Sequence, residues 1–138
     1  MATTFHAGAV VYAKNLTLVQ AFYQAVLSLE VRSAEKDHVV LASPTFQLVV
    51  LQVPEHIGSS IKIENPPRRR TETPIKLVFE VTSISTTRAV ARLYGGELLP
   101  PEREWNFQGY RVCDGQDPEG NVVQFRQYES GSTGSKRN

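Results

Sequence analysis

The sequence predicts an α+β fold that uses one order of elements twice, and three observations carry that expectation. Each half runs strand, helix, then three strands. A stretch rich in proline and arginine, residues 55–73, separates the halves. The second half closes on Asp117-Pro118-Glu119-Gly120-Asn121 followed by Val122-Val123-Gln124-Phe125-Arg126, a tight turn feeding a strand. On that strand Val123 and Phe125 point one way and Gln124 and Arg126 the other. Its apolar side calls for a helix, and its polar side for water or a ligand. The expected organisation is a first module over 1–54, a linker loop over 55–73, a second module over 74–129 and a disordered polar tail over 130–138.

In order, residues 5–12 (FHAGAVVY) read as a strand and Asn15 as an N-cap. From Leu16 to Leu29 the apolar residues Leu16, Val19, Phe22, Tyr23, Val26 and Leu27 fall on one helical stripe. Leu29–Ser33 and His38–Ala42 are short strands about a turn at Asp37, and Ser43-Pro44 breaks the second. Phe46–Val53, rich in Val and Leu, is the strongest strand of the first half. In the linker stand Pro54, Gly58, Pro66, Pro67 and the run Arg68-Arg69-Arg70. After Pro74, Ile75–Val81 alternates as a strand. Ser83 caps a helix over Ile84–Tyr94, which Gly95-Gly96 ends. Glu97–Leu99 is a strand, Pro100–Asn106 a loop carrying Trp105, and Tyr110–Cys113 a strand before the closing motif.

Composition narrows the function classes. A net charge of +1 over 138 residues excludes bulk attraction to nucleic acid or membrane. No basic segment followed by an apolar run opens the chain, and no apolar stretch has membrane-spanning length, so a cytoplasmic protein is expected. Cys113 is the only cysteine, which excludes an internal disulfide and a thiolate metal cluster.

The halves can be laid on each other. Gly8 to Asn15-Leu16 matches Lys76 to Ser83-Ile84, and Ser43-Pro44 falls beside Asp117-Pro118, which pairs Val50 with Gln124 and Gln52 with Arg126. Alternation then sends Leu77, Phe79 and Val81 to the helix side and Lys76, Val78 and Glu80 to the other. The first-half residues expected on that other face are Leu48, Val50 and Gln52, with His6, Gly8, Val10 and Tyr12. The face thus gathers Tyr12, Gln52, Lys76, Glu80, Gln124 and Arg126, with His6 at its margin, as ligand-binding candidates. Trp105, Phe107 and Tyr110 are expected to supply aromatic walls.

Several of these motifs resemble the vicinal oxygen chelate superfamily, which includes glyoxalase I, bleomycin-resistance proteins and ring-cleaving dioxygenases. The resemblance covers residues 5 to about 128. It rests on Ala13-Lys14-Asn15-Leu16 with Ala21-Phe22-Tyr23-Gln24, on Phe79-Glu80-Val81-Thr82-Ser83-Ile84, and on Gly109-Tyr110-Arg111 leading into Asp117-Pro118-Glu119-Gly120-Asn121. It implies two βαβββ modules forming a curved mixed sheet around a concave pocket, helices on the outer face, and a homodimer. Metal enzymes of the group place His or Glu at four sheet positions, which the register above carries onto Gly8, Val50, Lys76 and Gln124. Only Gln124 offers a donor, and a stable transition-metal site wants three or four His, carboxylate or thiolate ligands. No metal and no other cofactor is therefore expected, and His38 and His56 are read as surface or pocket-rim residues.

The expected function is binding of a small, anionic organic ligand, since Lys76 and Arg126 favour negative charge and disfavour cationic bleomycins. The alternative is a lyase or dioxygenase-type enzyme, metal-independent or with a non-standard metal site. Glu80 is the catalytic candidate, a general base beside Lys76, set against a plain salt bridge between the two. Arg68-Arg69-Arg70 reads first as a solvated run, and no nucleic-acid partner is expected.

Overall fold

The structure, a computed structural model, describes residues 6–129, so the expected tail over 130–138 lies outside the described residues. The first half comprises β1 (Ala7–Ala13), α1 (Leu16–Leu27), β2 (Glu30–Ala34), β3 (His38–Ala42) and β4 (Phe46–Gln52). A short helix, α2 (Glu55–Gly58), falls where the sequence suggested only loop. The second half comprises β5 (Leu77–Val81), α3 (Ile84–Leu93), β6 (Glu97–Leu98), a 3₁₀ turn (Pro101–Arg103), β7 (Trp105–Phe107), β8 (Tyr110–Gln116) and β9 (Val122–Tyr128). The strands form two sheets, ordered β1-β4-β3-β2 and β5-β9-β8-β6, with β7 also paired to β8. In each sheet the first and last strands of the half run parallel and the others antiparallel. The fold class is the predicted α+β pair of βαβββ modules. Trp105 belongs to β7, hairpinned onto β8, rather than to a loop. Among the described residues no helix is long and apolar enough to cross a membrane.

Local chemistry explains both helix starts. Asn15 and Ser83 are extended and accept from the backbone N–H groups of Leu18 and Thr86. A glutamine from the last strand of each module completes the cap. Gln52 Oε1 accepts from Leu16 N at 2.9 Å, and Gln127 Oε1 from Ile84 N at 2.8 Å. Four otherwise orphaned donors are thus satisfied, two per helix. The equivalence of Gln52 with Gln127 pairs Val50 with Phe125 and Val49 with Gln124, one residue away from the sequence-derived register.

That shift corrects the faces of β4. Leu48 and Val50 are fully buried in the core with Val19, Phe22 and Tyr23, and Gln52 turns to α1. The residues of β4 on the other face are Gln47, Val49 and Leu51, beside Gly8, Val10 and Tyr12 of β1. The sequence placed β1 correctly and β4 one residue out of phase.

The modules share one core. α1 and α3 pack together, and Phe46 of β4 meets Phe79 of β5 edge-on at 5.2 Å between ring centroids. Phe22 lies flush on Gly96, where an added Cβ would stand 2.3 Å from the ring. Each fully buried side chain of this size contributes roughly 1.5–3 kcal/mol. Polar bonds from the closing motif fix the modules' relative placement. Asp117 is 0% exposed and accepts from Glu119 N, Asn121 N, Asn121 Nδ2 and the Tyr23 hydroxyl, the last at 2.8 Å. Burial, and then the Asp117 charge, raise the Tyr23 pKa well above 10.0, so the phenol stays a donor. Burial also raises Asp117, against the hydrogen bonds that lower it. Glu119 accepts from the backbone N–H groups of Lys14 and Asn15 at 3.0 and 2.7 Å. The linker is tied to the same turn through Arg70 N to Gly120 O, Arg70 Nε to Glu119 O and Gln116 Nε2 to Pro67 O. Gly120 has φ +84, and a Cβ there would stand 2.1 Å from Arg68 O, so only glycine fits.

Candidate functional site

The face of the second sheet away from the helices carries most of the candidate residues. Cross-strand register sets them in rows. Val78 of β5, Gln124 of β9 and Asp114 of β8 form one row. Glu80, Arg126, Val112 and Trp105 form the next, and Tyr128, Tyr110 and Phe107 the last. Among the described residues no helix covers this face, and Trp105, Phe107, Val78 and Tyr128 are exposed there.

A polar chain runs across these rows. Lys76, just ahead of β5, places Nζ 2.9 Å from Asp114 Oδ2. Gln124 Nε2 donates to Asp114 Oδ1 at 3.1 Å, and Gln124 Oε1 accepts from Arg126 Nε at 2.8 Å. The Arg126 guanidinium lies over the Phe107 ring, 5.2 Å from its centroid. Arg69 reaches in from the linker to 3.7 Å from Asp114. Nε is the only nitrogen of the Arg126 side chain with a hydrogen-bond partner among the described residues. Its terminal amino groups keep their donors, on the face that also carries exposed Trp105.

Of the residues singled out from sequence, Lys76, Gln124 and Arg126 come together in this chain, with Trp105, Tyr110 and Glu80 on the same face. Lys76 and Glu80 do not pair with each other, contrary to the plain salt bridge considered from sequence. Lys76 takes Asp114, and Glu80 accepts from the Tyr110 hydroxyl at 3.3 Å. Tyr12 lies on the corresponding face of the first sheet, 65% exposed, and His6 is exposed before β1. Gln52 lies on the opposite face, as a helix cap. His38 hydrogen-bonds Asp37 at 2.8 Å, and His56 sits in α2. Sequence reasoning missed Asp114, the hub of the chain, and Arg69. Alternation from Tyr110 and Val112 reaches Asp114, but the strand expected from sequence stopped at Cys113.

Behind this face a second charged cluster holds the Trp105 segment. Glu104 bonds Arg88 of α3, and Arg111 Nε donates to it at 2.6 Å. Burial pushes the Glu104 carboxyl up, but the hydrogen bonds from Arg88 and Arg111 outweigh it and leave its pKa below the usual value. Cys113 is buried beside this cluster, and burial raises its thiol pKa. Two clefts lie along the linker, the second sharing Arg69 with the polar chain of the open face. One of about 850 Å³ runs between α1, the end of α3 and Pro66-Pro67, and one of about 650 Å³ lies between residues 61–71 and Glu119.

Paired βαβββ modules define the class of fold, and comparison with known proteins places the chain within it. The model of the glyoxalase-like domain family matches residues 8–125, so the chain belongs to that family, and with it to the vicinal oxygen chelate superfamily. No curated protein matches the sequence. Among solved structures it is similar to a glyoxalase/bleomycin resistance protein from Albidiferax ferrireducens T118, with TM-score 0.61 and 20% identity over 88% of this chain and 96% of that one. It is also similar to a glyoxalase/bleomycin resistance protein/dioxygenase family enzyme from Burkholderia phytofirmans PsJN, with TM-score 0.65 and 14% identity over 87% and 95%. The fosfomycin resistance protein FosX of Listeria monocytogenes matches with TM-score 0.63 and 14% identity over 100% and 99%. A single-residue mutant of FosX has also been solved with Mn(II) and 1S,2S-dihydroxypropylphosphonic acid. At these identities the likeness is one of fold.

Proposed function

We propose that this chain binds a small organic anion against the open face of its second sheet, without a metal, and that a second copy of the chain closes the site. The observation that carries the reading is the setting of Arg126. Its guanidinium is held by Gln124 and lies over Phe107, with no hydrogen-bond partner for its terminal donors among the described residues, and exposed Trp105 shares the face. Such a fork grips a carboxylate, phosphonate or phosphate through two bonds, while aromatic walls take a flat or apolar body.

The donor set does not fit a transition-metal ion. In the observed register the four superfamily metal positions correspond to Gly8, Val49, Lys76 and Gln124. Two of them have no donor atom, Lys76 is a cation bound to Asp114, and the Gln124 oxygen accepts from Arg126. Among the described residues no three His, Cys, Asp or Glu side chains come together as a metal site.

A second copy is supported by the sheet edges. β1 and β5 each stand at the edge of a sheet, and Val10, Tyr12 and Val78 expose apolar surface there. Unpaired edges flanked by apolar side chains invite pairing. The test is a thermal-shift screen of small aromatic carboxylates and phosphonates, with sedimentation to give the oligomeric state. Arg126→Ala is expected to weaken any hit at least tenfold and leave the melting temperature of the free protein within about 2 °C. Unchanged binding in that variant, or a monomer at micromolar concentration, overturns the corresponding part of the proposal.

Glu80 and Tyr110, hydrogen-bonded on the same face, favour a second reading as a metal-independent lyase with Glu80 as general base. Turnover of a screen hit that Glu80→Gln abolishes without loss of binding would establish it. Equal turnover in that variant would remove it.

A further inference from the structure

The linker arginines are exposed, as expected of a solvated run, and together with Lys62 they rim a cleft. Four cationic side chains, Lys62, Arg68, Arg69 and Arg70, line the cleft of about 650 Å³, against two carboxylates, Glu64 and Glu119. The two carboxylates offset two of the four charges and leave a net excess of two. Both Glu119 oxygens are spent on the backbone N–H groups of Lys14 and Asn15. Glu64 stands 3.5 Å from Arg68 in an exposed pair, which is worth little. Lys62 has no ion pair among the described residues, and Arg70 uses only Nε, on Glu119 O. Arg69 leans on Asp114 at 3.7 Å, but Asp114 already holds Lys76 at 2.9 Å.

The cleft is also built rather than incidental. The arginine run is anchored by the backbone bond from Arg70 N to Gly120 O at 2.9 Å and by Gln116 Nε2 on Pro67 O at 2.7 Å. Gly120 allows the approach, since any side chain there would strike Arg68 O. Four exposed cations on one anchored stretch of backbone repel one another, and an anion among them relieves that repulsion.

We propose that this cleft is a second binding site, distinct from the open sheet face, and that it takes a small multiply charged anion of the phosphate or diphosphate class. Two arguments set the class. Arginine forks match phosphate oxygens in pairs, and a dianion or higher is needed to satisfy a net excess of two positive charges. The volume suits a small molecule. An extended polyanion such as RNA would want basic residues along a longer track with interleaved aromatics, and no Phe, Tyr or Trp lines this cleft.

The experiment is isothermal titration calorimetry with inorganic diphosphate at low ionic strength. It compares the wild-type chain, Lys62→Gln, Arg68→Gln, the double variant and Arg126→Ala, with a single-stranded RNA oligonucleotide as competing probe. Lys62 and Arg68 support no part of the core, so these variants fold, which circular dichroism checks. Each single variant is expected to weaken diphosphate binding about fivefold, the double variant about twentyfold or more, and 0.5 M salt strongly. Arg126→Ala is expected to leave diphosphate binding unchanged. No binding by the wild-type chain, or equal affinity in the double variant, overturns the proposal. Loss of binding in Arg126→Ala would move the anion to the open face. RNA binding tighter than diphosphate, lost in the double variant, would assign the cleft to nucleic acid instead.

Discussion

Tyr23→Phe isolates one of the polar bonds that join the two modules. The Tyr23 hydroxyl donates to Asp117 Oδ2 at 2.8 Å, across 94 residues of sequence and inside the core. Its ring is 1% exposed and packs edge-on against Phe22 at 5.0 Å between centroids. Phenylalanine keeps that packing and removes one hydrogen bond to a buried carboxylate, which is worth about 1.5–3 kcal/mol. Asp117 still accepts from three donors, so no severe orphan penalty is added. The expected loss is therefore about 2 kcal/mol. Asp117→Ala strands the hydroxyl, the Asn121 amide and two backbone N–H groups, and should cost about 3–5 kcal/mol. The assay is urea unfolding at pH 7, with the double variant closing a cycle whose coupling should be about 1–2 kcal/mol. Tyr110→Phe is the control. Its hydroxyl bond to Glu80, 3.3 Å and exposed, should be worth less than about 0.5 kcal/mol. A Tyr23→Phe loss below about 0.5 kcal/mol would refute the idea that this bond fixes the modules together.

Three further expectations concern stability. Gly120→Ala should destabilise by about 1–3 kcal/mol, because alanine is strained at φ +84 and its Cβ would strike Arg68 O; chemical denaturation checks this. Gln52→Ala and Gln127→Ala should each cost about 1 kcal/mol by uncapping α1 and α3, and the two losses should add, since the sites are separate; a large effect from only one would break the equivalence of the modules. The Glu104 pKa is lowered in the folded state, so its contribution is full above the unfolded value near 4.5 and is lost as pH falls through the folded value. Melting temperatures measured from pH 7 down to pH 3 should therefore fall less steeply in Glu104→Gln than in wild type.

The parts of the fold legible in the sequence are those whose signals are local. Asn15 and Ser83 declare helix starts because an N-cap acts within three residues. The α1 stripe declares its buried face because 3.6-residue periodicity is written along the chain. Val123-Gln124-Phe125-Arg126 declares its two faces because apolar and polar residues alternate there. Strand β4 carries no such mark. Leu48, Val49, Val50 and Leu51 are all apolar, so alternation has no phase, and only pairing with β1 decides that Leu48 and Val50 enter the core. The same pairing turns Gln52 from a supposed site residue into a cap on α1.

The candidate site divides in the same way. Trp105 was read as a loop residue, and Trp105 and Tyr110 only as aromatic walls, whereas Lys76, Gln124 and Arg126 could be placed on one face from alternation and the repeated order of elements. Their partners could not. Asp114 binds Lys76 across 38 residues of sequence, and it is reached only because β8 continues past Cys113 beside β9. Arg70 and Gly120 meet only because the linker folds back on the closing turn, 50 residues further along the chain. By itself, then, the sequence determined two βαβββ modules, their helix caps and the polar face of the last strand, because each rests on contacts within a few residues. The tertiary structure alone decided which face of β4 is buried, what Lys76 and Glu80 pair with, and that the linker arginines line a cleft. Those outcomes depend on which distant backbone and charged groups come within 3–4 Å of each other, and no local pattern records that.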